Sequence, residues 1–525
     1  MKKYFSLTLI LQLIAGILFG FASSGENPLF CAIAVMFVGF SLVFTLKKSK
    51  SPAIDYFIFG LSFYATSQYW IADTINFFGG FPLLISYLLL ALYVLLSSLQ
   101  FVFCVWIFKN LKLPLLVRTR IAFPLSWFMA DFLFPKMFPW SLIHPLISFK
   151  YFSILASTFG CGILTLIFLW LMNLGLTLLT NKEGRKSAAL IFICLLISLS
   201  YLSFNLVNQT DQALQNSAKI KVALVQANID AKDIINSGLL TNNLNLYKSL
   251  SRDALLDNSN KIELLVWPES SANFWTPANI ENIENTKYDP FAERVVPHVY
   301  GGLSFAEKLG SNFVSTEDKY AKYNTAFVVD AQGKVLGKYH KQILMPFGEY
   351  LPFAKTFPIL KNLSPETGDL DQGELIEPIL IAVNDKKFRL GILICYEDLV
   401  SGLFATNALN GANILVNLTN DAWYGDSPAA VQHNLLASWG AIESSRFLLR
   451  ATNTGLTAII NPFGEMSEKL PRLEQGVLLG EVSILEGQTF YVKYGRIFTW
   501  SILGAVVSIL LYTITILRGS DVSKK

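Results

Sequence analysis

Cys395 closes an apolar run, Leu390-Gly391-Ile392-Leu393-Ile394, and is followed at once by Tyr396, Glu397 and Asp398. Such a run reads as a buried strand, and α/β folds put their chemistry at the C-terminal ends of strands. A second apolar run, Ile262–Val266, ends at Trp267-Pro268-Glu269. Between the two lies Lys341, in Lys338-Tyr339-His340-Lys341-Gln342, with Glu349 further along the same stretch. A thiol attacks carbon as the thiolate, which needs a neighbouring base or cation. Glu269 can take the thiol proton. Lys341 can stabilise first the thiolate and then the oxyanion of a tetrahedral intermediate, with a backbone N–H after the cysteine as a second donor. Such a trio attacks a carbonyl or nitrile carbon and leaves a thioester or thioimidate, which a second nucleophile releases.

Taken singly, each residue has a commoner structural explanation. A strand-end cysteine usually packs, Pro268-Glu269 can simply end a strand, and Lys341 can be a solvated charge. Their joint occurrence, each at a strand end or loop of one region, favours chemistry. The rival constellation is a Cys–His pair using His340 or His433. The four histidines show no metal-ligand spacing, and the region holding Cys395 contains no other cysteine, so neither a zinc site nor an internal disulfide is expected there.

The elements that must position these residues lie between about Lys219 and Glu486. Strand-length apolar runs recur at Val222–Val225, Ile262–Val266, Thr325–Val329, Phe388–Ile394, Asn413–Asn417 and Gly455–Ile460. Helix-like stretches, Asn243–Leu256 and Ala429–Leu449, alternate with them, which is an α/β layer pattern. Asn208–Ser217 is polar and reads as a connection into this domain.

The rest of the chain is of another kind. Of 525 residues, 53% are hydrophobic and 15% charged, against about 25% charged in ordinary globular proteins. Mean hydropathy is +0.45. A net charge of +4 spread over loops gives no case for nucleic-acid binding. A spanning helix needs about 20 mainly apolar residues. Candidate spans are 5–22, 28–46, 54–72, 82–108, 119–134, 153–180, 188–206 and 492–517, about eight helices. The first is read as a span rather than a cleaved leader, because another follows at once and Gly20-Phe21-Ala22 is a poor cleavage site. Lysine and arginine cluster at Lys2-Lys3, Lys47–Lys50, Lys109–Arg120, Lys182–Lys186 and Arg518–Lys525, while the alternate short loops carry only Lys136 and Lys150. The positive-inside rule then puts both termini in the cytoplasm and the α/β domain outside, facing the periplasm. The expected organisation is spans 1–7 in residues 1–206, a catalytic domain in 207–488, and a last span with a tail in 489–525.

The chain resembles the apolipoprotein N-acyltransferases, the integral-membrane branch of the nitrilase superfamily. The likeness runs through Val225-Gln226-Ala227-Asn228-Ile229, Trp267-Pro268-Glu269, Tyr323-Asn324-Thr325, Lys341 with Pro346-Phe347-Gly348-Glu349-Tyr350, Cys395-Tyr396-Glu397, Asn420-Asp421-Ala422-Trp423-Tyr424-Gly425 and Arg450-Ala451-Thr452-Asn453-Thr454-Gly455. It implies a multi-pass helical membrane domain joined to an αββα sandwich. It also implies Cys395 as nucleophile, Glu269 as base and Lys341 as charge stabiliser. Glu349 would hold the lysine, and Tyr396, Glu397, Asn324 and Trp423 would support the site or bind substrate.

The implied reaction moves an acyl chain from a membrane phospholipid, phosphatidylethanolamine, to the α-amino group of an S-diacylglyceryl-cysteine at a lipoprotein N-terminus, with no cofactor or metal. The setting is the bacterial inner membrane and the chain is expected to be a monomer. A membrane-anchored amidase using water is the alternative enzyme, and a transporter with a ligand-binding outer domain the non-enzymatic one. Two departures from the family pattern stand out: Ile234-Ile235 where Lys-Trp is usual, and Gly440 where the family tends to have Arg. Tyr350–Leu360 is apolar but broken by Pro352 and Pro358, and Phe353 and Phe357 suggest an arm resting on lipid.

Overall fold

The computed structural model describes residues 2–113, 115–180, 184–230, 232–233, 237–256, 261–308, 319–351, 356, 368–374 and 377–522. Ile234, Ile235, Phe353 and Phe357 lie outside them. The chain forms two compact units, one from residues 1–73, 82–209 and 489–525 and the other from 74–81 and 210–488.

The first unit is helical: α1 (Lys2–Ala22), α2 (Pro28–Lys48), α3 (Pro52–Ser67), the start of α4 (Ile71–Gly79), α5 (Leu83–Asn110), α6 (Leu115–Leu133), the single turn α7 (Lys150–Ser153), α8 (Ala156–Thr180), most of α9 (Arg185–Asn216) and, at the far end of the chain, α13 (Phe490–Val522). Among the described residues, five stretches are long and apolar enough to cross a membrane: Pro28–Lys48, Leu83–Asn110, Ala156–Thr180, Arg185–Asn216 and Phe490–Thr513. Leu7–Ala22 is a shorter apolar helix. Helices in lipid associate by close packing over small residues. Here Gly16 and Gly20 of α1 lie against Ser62 and Thr66 of α3, with no room for a Cβ. Phe59, Phe63, Phe101 and Trp127 fill the space between α3, α5 and α6.

Each expected span falls on a helix, with three corrections. The span at 54–72 stops at Ser67, and a separate helix starts at Ile71. The span at 153–180 is bent at Gly160, whose φ of 68° no ordinary helical residue adopts and whose missing Cβ makes room for the Tyr491 ring. The expected connection Asn208–Ser217 is helical through Asn216, because it contains neither Gly nor Pro to stop α9.

The second unit is a two-sheet sandwich. Its strands are β1 (Lys219–Gln226), β2 (Leu264–Val266), β3 (Ala272–Pro277), β4 (His298–Glu307), β5 (Tyr320–Val329), β6 (Val335–His340), β7 (Ile379–Val383), β8 (Lys386–Ile394), β9 (Ile414–Thr419), β10 (Phe447–Thr452), β11 (Ala458–Ile460), β12 (Met466–Lys469) and β13 (Gly476–Ser483). One sheet runs β13-β1-β2-β4-β5-β6, with β3 beside β4; the other runs β12-β11-β10-β9-β8-β7. The helices are α10 (Leu240–Leu256), α11 (Ser401–Leu409) and α12 (Ala429–Ser444).

Side-chain alternation builds the layers. Leu390, Ile392 and Ile394 of β8 and Ile414, Val416 and Leu418 of β9 meet Val222, Leu224, Val266 and Val328 of the facing sheet. Leu393 and Leu415 point the other way, onto Phe404 of α11 and Ala437 and Ala441 of α12. Ala223, Leu265 and Phe327 pack outward against Tyr247 of α10. Both faces of each central strand are therefore covered, which is why these strands read as unbroken apolar runs. The sequence reading carried the last helix to Leu449. It ends at Ser444, capped by Ser445 at a left-handed φ of 51°, and Phe447 onward is β10.

Gly440 has a local explanation. A Cβ there would lie 2.6 Å from ring atoms of Phe404, so α12 approaches α11 too closely for a larger residue.

Candidate active site

Strand ends from both sheets converge on Cys395. β8, β9 and β10 are parallel neighbours, so the turns after Ile394, Thr419 and Thr452 share one edge. In the other sheet β2 and β4 are parallel, and β5 and β6 antiparallel. Glu269 follows β2 and Lys341 follows β6, its N–H donating to the Asn324 carbonyl at 2.9 Å. Cys395 has φ of 50° and Ser270, just after the glutamate, φ of 58°. Left-handed backbone at non-glycine residues is strained and gathers at functional sites.

The side chains form a buried ion cluster. Lys341 Nζ lies 2.8 Å from Glu349 Oε2 and 3.5 Å from Glu269 Oε1. Asn324 Nδ2 donates to Glu269 Oε1 at 2.7 Å and to Glu349 Oε1 at 2.9 Å. The Asn420 N–H donates to Glu269 Oε2 at 3.0 Å, and the Met345 N–H to Glu349 Oε2 at 2.8 Å. Glu269 sits where Gly301 of β4 has no side chain: a Cβ there would come within 2.6 Å of the Glu269 Cα and 2.7 Å of the Pro268 carbonyl oxygen.

The electrostatics follow. Burial raises the Glu269 carboxyl above its ordinary range; Lys341 opposes this and Glu349 adds to it. Burial also pushes the Cys395 thiol up, helped by Glu269 and resisted by Lys341 and the Thr419 hydroxyl. Lys341 is disfavoured as a cation by burial, but Glu349 and Glu269 more than offset this and keep it charged. The resting site therefore sets a thiol and a lysine cation beside a carboxyl group whose raised proton affinity suits it to take a proton.

Glu397 works from beneath. Its carboxylate accepts from Tyr339 Oη at 2.9 Å and from the N–H groups of Gln342, Ile343 and Ile394 at 2.6, 3.0 and 2.8 Å. It thereby ties the lysine loop to the end of β8. Burial lifts it to about 7 while the Ile343 N–H and Lys341 hold it down. Tyr396 and Trp423 stay partly exposed on the turns after the cysteine and after Asn420.

The two histidines of the rival reading are engaged elsewhere. His340 stacks on Tyr323 and its Nδ1 meets Thr325 Oγ1 at 2.9 Å. His433 lies between two carboxylates, with Nε2 2.5 Å from Asp398 Oδ1 and Nδ1 3.0 Å from Asp421 Oδ1. Arg450 completes that group, Nε to Asp398 Oδ2 and Nη1 to Asp421 Oδ2, both at 3.1 Å. Of these four, sequence reasoning weighed only His433, as a rival partner for the cysteine, and gave the other three no role. A signal was present: an arginine inside the apolar run Phe447–Thr452 must be paired if buried.

A cysteine at a strand end, facing a glutamate and a lysine across an αββα sandwich, defines a class. A model of the carbon-nitrogen hydrolase family matches residues 221–489, just over half the chain, and the chain belongs to that family. A model of the apolipoprotein N-acyltransferase N-terminal domain matches residues 15–174. Relatives named apolipoprotein N-acyltransferase include one from Geobacter metallireducens, 29% identical over 517 residues and covering 95% of this chain and 94% of its own. Another, from Haemophilus ducreyi, is 29% identical over 473 residues, covering 87% of each. Among solved structures, Saccharomyces cerevisiae Nit3, described as a member of branch 10 of the nitrilase superfamily, aligns with 18% identity over 50% of this chain and 90% of its own, with a TM-score of 0.36.

Proposed function

We propose that this protein is an apolipoprotein N-acyltransferase, moving a fatty acyl chain from a membrane phospholipid to the α-amino group of a lipoprotein's N-terminal S-diacylglyceryl-cysteine. The observation that carries the reading is one chain joining membrane-length apolar helices to a sandwich with Cys395 beside a buried Glu-Lys pair. The named relatives over nearly the whole length support it.

In this reading Glu269 takes the Cys395 proton as sulfur attacks the ester carbonyl. Lys341 and the Tyr396 N–H stabilise the oxyanion. Collapse expels the lysophospholipid alkoxide, which recovers the proton from Glu269 and leaves an acyl thioester. The lipoprotein amine then attacks the thioester, Glu269 accepts its proton, and the thiol is re-formed as the amide departs. Glu349 and Asn324 hold Lys341 and Glu269 in register, and Glu397 fixes the two loops. Phosphatidylethanolamine is the proposed donor and the monomer the acting species. The lysine and arginine asymmetry supports cytoplasmic termini and a periplasmic catalytic domain in a bacterial inner membrane.

The test is to incubate purified protein with acyl-labelled phosphatidylethanolamine. Label should appear on Cys395 in a hydroxylamine-sensitive bond, and move to an amide when a diacylated lipopeptide is added. Release only as free fatty acid, with the lipopeptide present, would make the protein a hydrolase.

A further inference from the structure

Asp398, Asp421, His433 and Arg450 lie outside the reacting cluster but are chained to it. Asp398 is in the 3-10 turn Cys395–Leu399 that starts with the nucleophile. Asp421 follows Asn420, whose N–H holds Glu269 Oε2. His433 and Arg450 come from α12 and β10. All four side chains are at most 3% exposed. Each carboxylate accepts from both the histidine and the arginine, so the four close into a ring.

Two features say what the ring does. Both His433 nitrogens face carboxylate oxygens, so both must donate, which requires the imidazolium form. With His433 charged, two anions balance two cations. With it neutral, a buried negative charge remains and a nitrogen lone pair points at a carboxylate. Secondly, the ring links the turn bearing the nucleophile to the turn bearing the N–H that aims the base, beside the bond from Asn417 Nδ2 to the Cys395 carbonyl at 3.1 Å, the Thr419 hydroxyl at the Cys395 thiol and the strand pairing behind.

We propose that Asp398, Asp421, His433 and Arg450 form a positioning lock that fixes Cys395 relative to Glu269, and that the proton on His433 keeps it closed, so that alkaline deprotonation opens the site. This rests on the acyltransferase reading only for its choice of rate assay. The charged and titratable groups facing His433 are Asp398, Asp421 and Arg450, with the Tyr424 ring edge-on at 6.3 Å. Burial, the largest single effect, disfavours the imidazolium and Arg450 opposes it too, but Asp398 and Asp421 together outweigh them, and the group rises to about 9. The sign is then fixed. A histidine raised above its free value of 6.5 contributes stability that is whole below 6.5 and lost as pH rises through about 9.

The test uses the full chain in micelles, comparing wild type with His433→Gln and Asp421→Asn from pH 6 to 10.5. Three quantities are read: acyl-transfer kcat and KM, the alkylation rate of Cys395 by iodoacetamide followed on its own peptide, and the melting temperature. Wild type should lose kcat with little change in KM as pH passes about 9, together with a fall in melting temperature. His433→Gln should show a kcat reduced at least about tenfold at pH 7.5 and no alkaline step in any readout. Asp421→Asn, which removes one counter-anion, should move the step to lower pH; it keeps the proposal testable should His433→Gln not fold. Wild-type rates and melting held unchanged to pH 10, or a wild-type alkaline step kept in His433→Gln, would overturn the lock. An alkaline step in melting and alkylation without any acyl transfer would sink the acyltransferase reading and leave the lock standing.

Discussion

Two buried ion clusters flank the end of β8, and they are built to opposite rules. Around Lys341, one cation faces two carboxylates, with a loose 3.5 Å contact to Glu269 and a tight 2.8 Å contact to Glu349. Around Arg450, two carboxylates and two basic groups bond one another in a closed ring, with one further bond from Arg450 Nη1 to the Leu456 carbonyl at 3.4 Å. The first has a surplus carboxylate with a raised proton affinity beside a thiol. The second has none to spare: its aspartate Asp421 is disfavoured as an anion by burial, yet held strongly down by Arg450 and His433. An incompletely neutralised cluster can exchange a proton during a reaction; a closed one can only hold things still. In the proposed mechanism, chemistry and geometry fall to separate sets of charges in the same few turns.

The sharpest way to break this contrast is at the thiol. Cys395→Ala should lower acyl transfer by at least about 10⁴-fold and abolish the acyl-enzyme, with the melting temperature unchanged within a few degrees. Retained transfer would show that the open cluster is not where the reaction occurs.

Next comes a mirrored pair. Lys341→Arg should cost about 10²–10³-fold in kcat, because a planar fork cannot replace a compact ammonium between Glu269 and Glu349. Arg450→Lys keeps the charge of the closed ring and should cost roughly tenfold, accompanied by a lower melting temperature. Equal losses from both, with equal changes in melting, would erase the distinction drawn here.

The acid side of the pH profile gives a subtler measure. The proposed mechanism needs Glu269 as the anion, and its proton affinity is raised above the ordinary 4.5, so kcat should fall as pH drops through a value above 4.5. Asn324 helps hold that carboxylate ionised, so Asn324→Ala should move the acid limb higher still. A limb that moves down in the variant would contradict the role of Asn324.

The smallest effect is expected away from both clusters. Gly440→Ala forces α12 off the Phe404 ring and should cost about 1–3 kcal/mol in stability of the catalytic unit, read by chemical denaturation, with kcat per folded molecule preserved.

Two of the three proposed reacting residues were legible because they sat where an apolar run broke into a polar one. Glu269 after Val266 and Cys395 after Ile394 are such breaks, and covered strands make them abrupt. Lys341 was found through the neighbouring Pro346–Glu349 stretch more than through its own surroundings. The ring around Arg450 was missed because its members are far apart in sequence, at 398, 421, 433 and 450, and only parallel pairing of β8, β9 and β10 brings them together. The first three residues of β10, Phe447 to Leu449, were taken for the end of a helix, since a run apolar on both faces carries no period that separates a covered strand from a buried helix. β4 and β6 went unread: β4 is interrupted by Gly301 and Gly302, and β6 carries Lys338 and His340.

Gly301 deserves to be seen as a calibration point. Its empty Cβ position is occupied by the backbone of Glu269, not by a side chain that could swing away. One methyl group added there leaves the Cys395, Glu269 and Lys341 side chains chemically intact but must push the glutamate main chain aside. The molecule thus offers a handle on where the Glu269 backbone sits that alters none of the three side chains.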